Sequence, residues 1–171
     1  MLPGTGSDDD YIVRAFAGPL RDAGAHILAP PPQPDHLLAG YLIALNNAAG
    51  RGPIAVGGVS IGAAVAAAWA YEHPGHAVAV LAALPAWTGA PGDAPAAIAA
   101  LHSARQLRAE GLAATTNQMR ASSPSWLADE LTRSWRGQWP HLPDAMAEAA
   151  AYVAPTRAQL QRLAEIGRAH V

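Results

Sequence analysis

The chain contains no cysteine, no lysine and a single phenylalanine among its 171 residues. The missing cysteine excludes disulfides, thiolate zinc sites, iron–sulfur clusters and a Cys nucleophile together. Any covalent chemistry must therefore use Ser, Thr, Asp or Glu. All eleven basic residues are Arg, and with the abundance of Ala, Gly and Pro this is the skew of a GC-rich coding sequence rather than a mark of function. Charge is sparse: 14% of residues carry one and the net is −2, so no basic excess exists to hold a phosphate backbone. That argues against nucleic acid as a partner. The opening MLPGTGSDDD lacks a basic segment followed by an apolar one, and a cytoplasmic protein is expected. The longest uncharged run, Pro53 to Tyr71, is interrupted by Gly57, Gly58, Ser60 and Gly62 and is too weakly hydropathic for a membrane span.

What is present is apolar, 51% of residues, enough for one globular domain or a piece of a larger one. Asp9 to Ala23 places Tyr11, Ile12, Ala15, Phe16 and Leu20 near helical spacing, with Ser7 or Asp8 able to cap the first turn. Asp8, Asp9 and Asp10 are read as solvated first-turn acids, favoured by the helix dipole. Ala25 to Pro30 reads as a short buried strand closed by PPPQP, Asp35 to Ala49 as a helix, and Ile54 to Gly58 as a strand. Gly62 to His73 reads as a helix and Val78 to Leu84 as a third strand. Strand and helix thus alternate at βαβ spacing, which predicts a parallel α/β sheet. From Asp93 to Leu163 only helical patterns occur, with breaks expected near Gly111, Ser123-Pro124, Trp139-Pro140 and Pro155.

The stretch from Pro53 to Trp69, PIAVGGVSIGAAVAAAW, carries the chemistry. A strand ending in Gly58-Val59-Ser60-Ile61-Gly62 and running into a helix is the G-x-S-x-G nucleophile elbow in its required strand–turn–helix context. Residues two away on each side of Ser60 must be small, because strand and helix nearly collide there. The N-terminus of the following helix directs positive partial charge at the serine. The plainer reading is a glycine-lined turn with an incidental serine. A dinucleotide-binding turn fails on glycine spacing and on the missing acidic residue between Glu72 and Asp93.

With these residues the chain resembles the α/β-hydrolase superfamily. Leu2-Pro3-Gly4-Thr5-Gly6 resembles the loop after that family's third strand, with Pro3 where a His is usual. By that resemblance the backbone N–H groups of Thr5 and Ile61 form the oxyanion hole. Tyr71-Glu72-His73-Pro74-Gly75-His76 resembles the family's link to its next strand, which makes His73 structural. The resemblance divides the chain into a core region at 1–87 and a helical cap insertion at 88–164. Within the cap, Trp126, Trp135, Trp139 and Met119 are read first as cap core and second as the lining of an apolar substrate pocket. The implied function is a serine hydrolase acting on an ester-like small molecule, with no cofactor and no metal; oligomeric state is not implied.

A triad also needs an acid and a histidine, in the order Ser, acid, His. Asp93, in the Pro/Gly-rich loop just beyond the third strand run, is the one candidate acid; His102 and His141 fall inside the cap. Glu165 to Val171, EIGRAHV, reads in frame as a common sequencing adapter. The chain is therefore expected to be an internal fragment of a longer hydrolase, its acid and His lying outside it, and to be nearly inert. The alternative is a non-catalytic module of the same scaffold that has lost its triad, and a nucleotide-binding βα protein stands third.

Overall fold

The computed structural model describes residues 1–168, with the backbone alone given for 165–168. The expectation of an adapter-derived tail at 165–171 thus lies outside the residues described in full. The elements in chain order are helices α1 (Asp9–Asp22) and α2 (Leu37–Ala49), strand β1 (Ile54–Val59), helix α3 (Ile61–Glu72) and strand β2 (Ala77–Ala83). Four further helices follow: α4 (Pro95–Ser122), α5 (Ser125–Gln138), α6 (Leu142–Ala150) and α7 (Arg157–Arg168).

This overturns the expected α/β-hydrolase sheet. The described chain is mostly helical, and its sheet has two strands, β1 and β2, paired in parallel across α3. The reason is that a strand needs a partner ladder, and local apolar runs cannot supply one. Ala25 to Pro30 forms no strand and joins no ladder; its Leu28 carbonyl accepts one hydrogen bond, from the Met1 nitrogen. Between it and β1 lies only the short stretch Met1–Leu2, of which Leu2 forms a single parallel bridge to Gly58. The helical breaks fall where glycine and proline put them. Gly111 sits at φ 78° inside α4, and Ser123, Trp139 and Pro155 lie between successive helices.

Two apolar clusters hold the chain together. In the first, Leu37, Tyr41 and Leu45 recur every four residues along α2, so one face meets Val56 of β1, Val65 and Trp69 of α3, and Ala145 and Ala149 of α6. The alanines of α3 leave no bulk on any side, and Ile61 through Ala67 are all buried. In the second cluster Trp135 of α5 packs with Ala104 and Leu107 of α4 and with Leu142 and Met146 of α6. Helix α6 therefore contributes to both clusters. No described helix is long and apolar enough to cross a membrane.

The acids at the start of α1 do more than sit in solvent. Asp8 caps the helix by accepting from the Tyr11 N–H at 3.0 Å and also accepts from Arg133 of α5 at 2.7 Å. Arg133 further reaches Asp10 at 3.1 Å and Glu130 at 2.9 Å, and Arg14 joins Asp10 to Glu130. The hydrogen bond from Arg14 holds both the Glu130 and Asp10 carboxyls below the usual carboxylate range. The network pins α5 against the N-terminus of α1.

Candidate active site

Ser60 occupies the turn from β1 into α3 at φ 54° and ψ −116°. This region is one that L-residues visit only at a cost of about 1–3 kcal/mol. The position is held from three sides. Its N–H donates to the Ala83 carbonyl of β2 at 2.9 Å, and its own carbonyl accepts from Ala63 and Ala64 at 3.1 and 3.2 Å, starting α3. Serine at a helix N-cap ordinarily turns its hydroxyl back onto the first helical N–H groups. Ser60 makes no such bond, so its hydroxyl is not consumed by capping.

The two flanking glycines are enforced by contact. A Cβ on Gly58 would lie 2.4 Å from the Gly62 carbonyl carbon, and one on Gly62 would lie 2.5 Å from the Leu2 oxygen and 2.6 Å from that of Pro3. These are backbone atoms that cannot rotate aside; the collision of strand and helix expected from the sequence is present at Gly58, whereas Gly62 is confined by the Leu2-Pro3 segment instead.

The loop Pro3-Gly4-Thr5-Gly6 lies against this turn. Leu2 donates to the Gly57 carbonyl at 2.8 Å and accepts from the Val59 N–H at 3.1 Å, which carries the loop to the end of β1. A Cβ built on Gly4 would sit 3.5 Å from the Ser60 Cβ. The loop closes on itself through Ser7 N–H to the Gly4 carbonyl at 3.0 Å. The N–H groups of Thr5 and Ile61, the expected oxyanion donors, have no partner among the described residues.

The buried Tyr41 hydroxyl was not singled out by the sequence. It donates to the Pro3 carbonyl at 3.2 Å, anchoring the loop from α2. Burial pushes its phenol well above the ordinary range, so it stays a donor at any working pH. Replacing Tyr41 by Phe leaves a buried carbonyl unpaired, and urea unfolding is expected to show a loss of about 1–2 kcal/mol. An unchanged unfolding midpoint would remove Tyr41 from the loop's support.

The remaining expected site residues are not gathered here. Asp93 is exposed in the turn before α4 and makes no side-chain hydrogen bond to Ser60 or to a histidine. His73 Nδ1 donates to the Trp69 carbonyl, 2.8 Å away, and the ring stacks on that of Trp69 with centroids 4.5 Å apart. That is a packing role at the far end of α3, about 20 Å along the helix from Ser60. His102 and His141 are exposed. Among the described residues no histidine or carboxylate hydrogen-bonds the Ser60 hydroxyl, and no three His, Asp or Glu side chains gather as a metal site would require.

Of the aromatic and Met candidates for a pocket, Trp135 is core, 4% exposed, with its indole against Gly6 of the loop. Its Nε1 and the Gln138 Oε1 are buried without a partner among the described residues. Met119 packs at the margin of the same cluster. Trp126 and Trp139 stand 59% and 40% exposed, so the four do not converge on one lining. Comparison of the chain with protein-family models, with curated proteins and with solved structures gives no match to any of them.

Proposed function

We propose that Ser60 is the nucleophile of a serine hydrolase that acts on an ester-like carbonyl, as in a carboxylester, thioester or amide, of a small molecule. The observation that carries this reading is a serine held at φ 54° and ψ −116° with its hydroxyl unused by the helix it precedes. Glycine would adopt that conformation without strain. A serine there is a costly choice that an incidental turn residue does not need.

In the reaction Ser60 Oγ adds to the carbonyl carbon while its proton passes to a general base. The oxygen that gains the charge is received by the N–H groups of Thr5 and Ile61, with the N-terminus of α3 adding its partial positive charge. Collapse expels the alcohol, thiol or amine, which takes up the proton, and water then releases the acid from the acyl-serine. The proposal requires a histidine base from outside the described residues. Residues 1–168 alone are therefore expected to acylate slowly, aided by the donors and not by a base.

The lack of a described base at Ser60 favours a second reading, a module that keeps this turn without catalysing. Incubation with p-nitrophenyl acetate followed by peptide mass mapping separates the two. An acetyl group on Ser60, absent in Ser60→Ala, supports the nucleophile. Acetylation spread over exposed serines such as Ser122 and Ser125, with none on Ser60, supports the module.

A further inference from the structure

The three residues that follow Thr5 are each held by helix α5. Trp135 lies against Gly6: a Cβ built on that glycine would stand 2.7 Å from the indole Nε1, and Gly6 itself turns at φ 71°. Gln138 Nε2 donates to the Ser7 carbonyl at 3.0 Å. Arg133 grips both oxygens of the Asp8 carboxylate, at 2.7 and 3.1 Å. On the other side of Thr5, Tyr41 of α2 donates to the Pro3 carbonyl. The peptide that carries the Thr5 N–H is therefore strung between an anchor on the core and one on α5.

Gln138 is the member of this set that packing alone does not explain. It is 4% exposed, and an amide removed from water costs stability unless its donors are used. Both are used, since the second N–H goes to Ser134 Oγ at 2.8 Å. Ser134 lies one turn earlier on the same face of α5 and is equally buried. The amide cannot be turned over, because Oε1 would then oppose the Ser7 carbonyl, acceptor to acceptor. In the orientation present Oε1 is left without a partner among the described residues. An apolar side chain of the same length would avoid that orphan and lose only the bonds that Nε2 donates.

We propose that α5 is a clamp on the loop beside Ser60, and that Gln138 is the positioning residue that holds the Thr5 N–H in place as an oxyanion donor. The inference rests on the reading of Ser60 as a nucleophile. Gln138 makes no bond to Ser60; it acts through Ser7, whose own N–H closes the loop onto the Gly4 carbonyl at 3.0 Å. With the Ser7 carbonyl released, the turn from Gly4 to Ser7 can swing and the Thr5 N–H loses its aim, on which oxyanion stabilisation depends. The site is then complete only while α5 is docked.

The test compares the whole chain with Gln138→Met, which keeps the length of the side chain and removes its donors, and with Leu112→Ala, which trims the cluster around Trp135 from α4. Two quantities are read: the rate of Ser60 acetylation by p-nitrophenyl acetate over a range of concentrations, and the NMR order parameter of the Thr5 amide. In Gln138→Met the limiting rate is expected to fall at least about tenfold, a part of the roughly hundredfold that removal of an oxyanion donor costs. The half-saturating concentration should not move. The Thr5 order parameter should drop from about 0.85 to below about 0.6, while that of Ile61 holds. Leu112→Ala should melt earlier yet keep both quantities. An unchanged rate in Gln138→Met, an unchanged Thr5 amide, or an equal loss of rate in Leu112→Ala would each overturn the proposal. If Ser60 of the parent reacts no faster than the exposed Ser122, the nucleophile reading fails by itself, and a Thr5 amide loosened by Gln138→Met alone still supports the clamp.

Discussion

Gly62→Ala is expected to be among the most destabilising single methyls that this chain can receive. Its Cβ would stand 2.5 Å from the Leu2 oxygen and 2.6 Å from the Pro3 oxygen. Both belong to the loop that β1 and Tyr41 hold in place. Relief requires moving α3 off that loop or the loop off β1, and either opens the cluster around Ile61, Val65 and Tyr41. Overpacking of this kind costs about 3 kcal/mol where the obstacle is backbone, which in a domain of this size lowers Tm by about 6–12 °C. Gly58→Ala, at 2.4 Å from the Gly62 carbonyl carbon, should behave alike. Gly75→Ala meets nothing within 4 Å and should stay within about 0.5 kcal/mol of the parent. Thermal melts of the three variants check the set, and a Gly62→Ala melt indistinguishable from that of Gly75→Ala would contradict the packing described at the turn.

Ser60 itself should show opposite responses in stability and chemistry. Ser60→Gly removes a Cβ from a conformation that disfavours one, and after the entropy that glycine adds to the unfolded chain a gain of about 1 kcal/mol remains. That raises Tm by about 2–4 °C. Ser60→Ala keeps the Cβ and the strain, so its Tm should match the parent's. Neither variant should form an acyl adduct at this position. A strained serine where glycine would be the more stable choice is the pattern of a functional residue, since stability alone would favour glycine. A Tm that falls in Ser60→Gly would mean that the turn carries no strain for glycine to release.

The turn was legible because its signal is local. Gly58 and Gly62 stand at fixed offsets from Ser60 between an apolar run and an alanine-rich one, and the same collision of backbones that demands them is what the structure contains. The sheet was over-read because pairing is not local. Ala25 to Pro30 has the composition of a buried strand, yet nothing within its six residues tells whether a neighbour will lie beside it, and only Met1 does. Tyr41 reads from sequence as one more apolar position on α2; its bond to Pro3 spans 38 residues and leaves no mark in spacing. The link between Asp8 and Arg133 spans 125, so the acids of α1 looked merely solvated. For Trp135, period and composition favoured helical core over pocket lining, and its burial agrees, but its closeness to Gly6 depends on how α5 docks and could not be read from either segment.

Whether Ser60 is a nucleophile held ready is measured most directly by the rate at which a fluorophosphonate modifies it relative to other serines of the same chain. Ser122 and Ser125 are exposed and share the solution conditions, so they report the reactivity of an unassisted hydroxyl. Donors at an oxyanion site, acting without a base, leave about a thousandfold advantage in well-studied triad enzymes. Mass mapping over a time course is therefore expected to find the phosphonate on Ser60 at least a hundredfold sooner than on Ser122 or Ser125, by that same thousandfold standard with a tenth of it realised. Modification of Ser60 no faster than of Ser122 would contradict the account and leave the strained serine without a chemical purpose.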